Sequence, residues 1–225
     1  IYLAAKELKH ANIVNPCLIF RTRKEIHENI DVDYVVIDEM DLSKYENFLY
    51  DLRKAKGLTL DQAKQLVRQP NYLASLMVKL GEADGEICGI QYSTKDTLKP
   101  ALQIIKTAPG AKLVTSAFVL EKGEEAYVFG DCAINIYPDA EQLANITLMI
   151  SKFAKEIAGI EDLKVAMLSY STAGSGAGES VDKVKRAYEI VQADPQSKDY
   201  EIFGEIQFDA SFVPAVMHKK AKALS

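Results

Sequence analysis

The sequence predicts an α/β fold with a mainly parallel, partly mixed sheet, and three observations predict it. Short apolar runs of the buried-strand kind alternate with stretches of helical period. Around Lys122-Gly123, two strand-like segments read as a hairpin inserted into that alternation. Ala108-Pro109-Gly110 interrupts the pattern and divides the chain into a first lobe, residues 1–110, and a second, 111–225.

The elements follow in order. Ile1 to Leu8 has helical character without a capping residue, and Cys17–Phe20 and Tyr34–Ile37 are short apolar strands. Tyr45 to Lys56 reads as a helix stopped by Gly57. Thr59-Leu-Asp-Gln62 is a capping box opening a further helix that Pro70 ends, and Asn71 can cap the next, closed by Gly81. Gly89 to Tyr92 reads as a strand, with Ser93 or Thr94 capping a helical segment through Lys106. Pro100 fits there only in the first turn or at a kink.

In the second lobe, Val114, Ser116, Phe118 and Leu120 share one face of a strand that turns at Lys122-Gly123 into Ala126–Phe129. Asp139 caps a helix whose apolar stripe is Leu143, Ile146, Ile150, Phe153 and Ile157, ended by Gly159. The strand Val165–Leu168 leads through a glycine loop into a helix with Val181, Val184, Tyr188 and Val191 inward, and Ile206 and Phe208 mark a last strand. Val216 to Ser225 is basic and polar, and the two ends together read as a piece of a longer chain.

With 225 residues, 48% apolar and 26% charged, the composition is that of an ordinary globular protein. A net charge of −5 gives no reason to expect nucleic acid as a partner. Cys17, Cys88 and Cys132 are sparse and form no CxxC pair, which suits reduced thiols in a cytoplasmic protein. Three scattered histidines have no zinc-ligand spacing, and no apolar stretch reaches membrane-spanning length. The expectation is no metal and no membrane.

The loop "SYSTAGSGAGES", Ser169 to Ser180, is the most suggestive stretch. Its Gly174-Ser-Gly176-Ala-Gly178 fits neither GxGxxG nor GxxxxGK[ST]. Bare N–H groups, hydroxyls and a following helix N-terminus suit a phosphate, with about 0.3–1 kcal/mol from the dipole. On spacing alone the loop reads as a strand-to-helix turn. Lys99, one turn from the hydroxyls of Ser93, Thr94 and Thr97, could hold a phosphate or carboxylate, or be a solvated side chain. Cys132 in "FGDCAIN" has no histidine near in sequence to activate it and reads as a small buried thiol; Asp131 beside it could orient a ligand or cap the turn. "GEADGEICG", Gly81 to Gly89, lacks calcium-loop spacing and reads as a turn, and Asp209 in "QFDAS" is a ligand contact or a helix cap.

Five segments together resemble the phosphate acetyltransferase (phosphotransacetylase) family: "LRKAKGLTLDQAKQLVRQPNYLASLMVKLGEADGEICG", "YSTKDTLKPALQIIKTAPG", "DCAINIYPDAEQLA", "VAMLSYSTAGSGAGESVDKV" and "IQFDASFVP". They occur in the family's order and cover the chain from about Tyr45 to Pro214. The resemblance implies two α/β/α lobes, an active site in the cleft between them and a homodimer. It implies reversible acetyl transfer between coenzyme A and inorganic phosphate, giving acetyl phosphate, with coenzyme A a substrate and no cofactor. Arg53 matches an arginine that helps hold coenzyme A, and Lys99 stands where the family commonly has arginine in "TLRPALQ", keeping charge without a bidentate grip. Ser171, Thr172, Gly174, Ser175 and Gly176 match the cleft-lining loop, and Cys132 the cysteine near the active site. The family's catalytic aspartate and Ser-Arg pair lie in a segment like "NDLSRG" that these 225 residues do not contain. The resemblance therefore assigns no catalytic residue here, and a polypeptide truly ending at Ser225 is expected to be inactive.

Three rival readings keep the same residues. A phosphate acyltransferase could prefer propionyl or butyryl groups, which only pocket volume would decide. A non-catalytic acyl-CoA sensing domain, like the transacetylase-like region attached to some malic enzymes, is a second. A nicotinamide oxidoreductase is a third, opposed by the failed GxGxxG spacing.

Overall fold

In a computed structural model, which describes residues 1–26 and 29–220, the contacts divide the chain into two units, Ile1–Ala108 and Pro109–Ser225. Among the described residues the strands form three two-stranded pairs, two parallel and one antiparallel, within a helix-rich α/β architecture.

The first unit opens with α1 (Tyr2–His10), then β1 (Cys17–Phe20) beside β2 (Asp33–Val36), parallel in the register Cys17↔Asp33 to Phe20↔Val36. Helices α2 (Ser43–Arg53), α3 (Leu60–Val67) and α4 (Pro70–Lys79) build the core. Their apolar residues recur three and four apart, Tyr45 and Leu49, Ala63 and Val67, Leu73 and Leu76, so each helix buries one stripe. Burying Leu49, Leu73 and Leu76 contributes about 1.5–3 kcal/mol each. Thr59 and Gln62 form the expected capping box, and Gly57, at φ +86, follows the last turn of the α2 segment. Pro70 opens α4 at its first position with Gln69 as N-cap, because a missing N–H costs nothing there. Asn71, expected at the cap, is instead buried with its Nδ2 donating to the Asp96 carbonyl at 2.9 Å.

Gly89 to Tyr92 is not a strand. Ile90 is exposed and Gly89 sits at φ +123, so among the described residues the run has neither a partner strand nor a face to bury. Ser93 then caps α5 (Thr94–Pro100), its Oγ accepting the Asp96 N–H at 3.2 Å. Pro100 ends α5, and residues Ala101–Ile105 continue as a wider π turn in which the Lys106 N–H reaches the Ala101 carbonyl five residues back.

The second unit begins with β3 (Ala117–Lys122) and β4 (Glu125–Gly130), paired Ala117↔Gly130 through Lys122↔Glu125. Gly123 at φ +63 takes the first central position of the two-residue turn, where glycine is favoured. In α6 (Ala140–Glu156), Asp139 and Gln142 form the capping box, but the buried face is rotated from the expected stripe. Ala144, Ile146, Thr147, Leu148, Ser151 and Ala154 are buried while Ile157 is exposed, because small residues let the helix approach β4 and α7 closely. Gly130 is part of that fit: a Cβ there would stand 2.7 Å from Ile150.

Strand β5 (Lys164–Leu168) runs parallel to β6 (Glu201–Ile206), with a register shift at Met167/Leu168. Between them α7 (Glu179–Ala193) packs Val184, Ala187 and Val191 onto Met167, Ile202, Ala144 and Leu148. Phe208, expected in the last strand, instead starts the short α8 (Phe208–Phe212), because the Gln207 N–H turns aside to Thr172. Helix α9 (Pro214–Lys220) ends the description, and the basic segment at 216–225 is followed only to Lys220.

Candidate functional site

In the first unit the candidate residues lie at helix ends. Arg53, the last residue of α2, is half-buried, and its positive charge bears on the Tyr72 hydroxyl. Burial pushes that hydroxyl up from its ordinary range, Arg53 pulls it back, and Asp96 raises it again. Tyr72 donates to Gln103 Oε1 at 2.9 Å, so α4 is tied to the π turn beside it. Ser93 and Thr94 open α5 and Lys99 stands in its last turn, exposed. The Ser93 hydroxyl is already engaged with Asp96, donating to Oδ2 at 2.7 Å. Tyr72 and Gln103 escape a motif search because nothing in their spacing signals them, and Asn71 reads there only as a cap; only the fold brings them to α5 and Arg53.

The acidic turn after α4 serves structure. Glu82 accepts from Tyr45 at 2.7 Å and pairs with Lys44 at 3.0 Å, and Glu86 accepts from Ser75 at 3.1 Å. Among the described residues no group of three or more His, Cys, Asp or Glu could hold a metal ion.

In the second unit the glycine loop leaves β5 and crosses the end of β6. Its N–H groups from Ser171 to Gly176 are all engaged. Ser171 donates to Ser169 Oγ, Thr172 to Ser175 Oγ, Ala173 to the Glu205 carbonyl, Gly174 to Glu205 Oε1, Ser175 to the Thr172 carbonyl and Gly176 to Ser171 Oγ, at 2.6–3.3 Å. Ser171 and Thr172 are buried, their hydroxyls spent on the loop and on Gln207, while Gly174 and Ser175 face outward. A Cβ at Gly176 would meet Tyr170 at 2.9 Å and Ser171 at 3.1 Å, so glycine there answers to close packing. Open donors lie one step further on. Helix α7 follows Gly178 without a side-chain cap, and the N–H groups of Glu179 and Ser180 have no partner among the described residues, which leaves them to solvent or a ligand.

That helix start borders a cavity of about 300 Å³ lined by Asp131, Ser169, Tyr170, Ser180 and Lys183 among others. The cavity joins the two segments the sequence singled out, the "FGDCAIN" turn and the glycine loop. Burial raises the Asp131 carboxyl above its ordinary range, the Lys183 charge opposes that, and Asp131 Oδ1 is buried without a partner among the described residues. Cys132 itself turns to Ser116, with Sγ 3.3 Å from Ser116 Oγ, which also accepts the Ala133 N–H at 3.1 Å. Asp209, outside this cavity, accepts the N–H of Ala210 at 2.8 Å and pairs with Lys220.

The family model described as phosphate acetyl/butaryl transferase matches residues 1–225. The chain belongs to this family. The phosphate acetyltransferase of Mycoplasma genitalium is 44% identical over 224 residues, covering 99% of this chain and 69% of its own length. That of Mycoplasma pneumoniae is 45% identical over 225 residues, with the same 99% and 69% coverage. The crystal structure of a phosphotransacetylase from Streptococcus pyogenes superposes with a TM-score of 0.83 at 40% identity, over 97% of this chain and 68% of that one. The glycine loop, which fits neither the dinucleotide nor the nucleotide spacing, has a geometry of its own. It is a loop closed on itself by its own hydroxyls and by β6.

Proposed function

We propose that the full-length protein carries the acetyl-transfer activity of its family, acetyl-CoA plus phosphate giving acetyl phosphate plus coenzyme A. The observation that carries the reading is the match to phosphate acetyltransferases at 44–45% identity over essentially every residue. In the forward direction a phosphate oxygen attacks the thioester carbonyl, and the C–S bond breaks to release coenzyme A. In reverse the thiol attacks acetyl phosphate, and with a thiol pKa of roughly 8.5 it needs a proton acceptor. Both substrates and the tetrahedral intermediate are anionic, so cations and open N–H donors are wanted. Lys183, Ser180 and the uncapped start of α7 supply such groups around one cavity, and Arg53 and Lys99 supply cations in the first unit. Ser93, Thr94, Cys132 and the 171–176 loop complete the proposed substrate-binding set, with Ser171 and Thr172 shaping the loop from beneath. The reaction proceeds without metal or cofactor, in the cytoplasm, in a homodimer.

The test, run on the full-length protein, is thioester formation from coenzyme A and acetyl phosphate, followed by ultraviolet absorbance, with butyryl phosphate run alongside. Faster thioester formation with acetyl phosphate is expected. A butyryl preference moves the chain to the longer-acyl activity, and acetyl-CoA binding without turnover makes it a sensor.

A further inference from the structure

The glycine loop carries an anion-binding shape that is already filled. Ala173 and Gly174 take positive φ in succession, +50 and +82, in a turn whose successive N–H groups both reach one residue, as the N–H groups of a turn concavity reach an anion. Here the acceptors come from β6. The Ala173 N–H meets the Glu205 carbonyl at 3.3 Å, and the Gly174 N–H meets Glu205 Oε1 at 2.6 Å. Glu205 is 3% exposed, an unusual place for a carboxylate, and its Oε2 is buried with no partner among the described residues. Lys185 on α7 brings its Nζ to 3.9 Å from Oε1.

We infer that Glu205 is the positioning residue of the glycine loop, its buried carboxylate standing where a bound anion would otherwise sit. Held from below at Gly174, the loop closes through Ser171 and Ser175 and presents Gly174 and Ser175 outward. A phosphate-bearing substrate then meets the outer side of the loop and the start of α7, not the N–H groups of 173 and 174. The catalytic half of this inference rests on the acetyl-transfer reading; the anchoring half does not.

The experiment compares full-length wild type, Glu205→Gln and Glu205→Ala by hydrogen exchange of loop peptides, with kcat and KM for acetyl phosphate and coenzyme A from the thioester assay. In Glu205→Ala the loop amides exchange about tenfold faster or more, the size a charge-assisted hydrogen bond carries, while α6 keeps its protection. Glu205→Gln retains an acceptor oxygen and restores most of the loop protection. KM rises in Glu205→Ala more than kcat falls. Unchanged loop exchange in Glu205→Ala overturns the anchoring, as does uniform loss of protection across the unit in both variants. A freed loop with unchanged KM overturns the positioning role. A wild type that forms no thioester defeats the acetyl-transfer reading instead, and the exchange comparison still decides the anchoring.

Discussion

Thr172 holds the end of β6 with one hydroxyl, accepting the Gln207 N–H at 2.9 Å and donating to Gln207 Oε1 at 3.2 Å. Valine has the same shape and no hydroxyl, so Thr172→Val leaves the Gln207 N–H unpaired in a half-buried place. The expected loss is about 1–3 kcal/mol of unfolding free energy by urea titration, with Thr172→Ser close to wild type. A valine variant as stable as wild type would remove Thr172 from the loop's framework. Glu86 supplies a titration test. Burial raises its carboxyl above the ordinary value, while the bonds from Ser75 and Cys88 pull it down. A carboxylate raised in the folded state costs stability in full above that raised pKa, and the cost vanishes once pH falls below the unfolded value. Glu86→Gln, which mimics the protonated form and keeps an acceptor for Ser75, is therefore expected to be more stable than wild type at neutral pH. The difference should shrink to nothing in acid, as followed by denaturation at a series of pH values. A gap that widens in acid would mean that the charged form is the favoured one. The sequence marks Thr172 only as part of the cleft-lining loop and Glu86 only as an acid in a turn; their structural roles arise only when β6 and α4 arrive beside them.

Helix starts were legible because capping chemistry is local. Thr59 with Gln62 and Asp139 with Gln142 form the reciprocal bonds that their spacing implies. Asp139→Ala is expected to cost about 1 kcal/mol in thermal or chemical unfolding, and Thr59→Ala a similar amount. The rotation of α6 was not legible, since periodicity weights large apolar side chains and this helix buries small ones against its neighbours. Ile157→Lys, on the exposed side, should shift stability by less than about 0.5 kcal/mol. Ala154→Leu, on the buried side, should cost about 1–3 kcal/mol by overpacking. The reverse order would return the stripe to the one read from the sequence. The lost strands have a similar explanation. Gly89–Tyr92 and Phe208 are apolar enough for strands, but pairing is decided by a neighbour distant in sequence, and Thr172 takes the N–H that would have extended β6.

The second unit leaves an aromatic group on its surface. Phe208 and Phe212 stack with ring centroids 4.5 Å apart, Tyr127 lies 5.1 Å from Phe212, and Phe129 lies 6.3 Å from Phe208. Phe208 and Phe212 stay 50% and 44% exposed, and Phe118, Val119 and Leu120 on the adjoining hairpin are exposed too. Single exposed apolar residues are ordinary, but a contiguous aromatic cluster is the kind of surface that association covers. The homodimer proposed above would give that surface an occupant, a second copy of the chain. With a net charge of −5 two copies repel at long range, so apolar contact has to carry the association. Phe212→Glu introduces a charge at the stacked pair without touching the glycine loop or the capping boxes. In sedimentation velocity the wild type is expected to run at twice the chain mass, and the variant at the single-chain mass with unchanged far-ultraviolet circular dichroism. If both run as dimers, the interface lies elsewhere and the aromatic cluster belongs to some other contact. If both run as single chains, the homodimer itself is wrong for this protein.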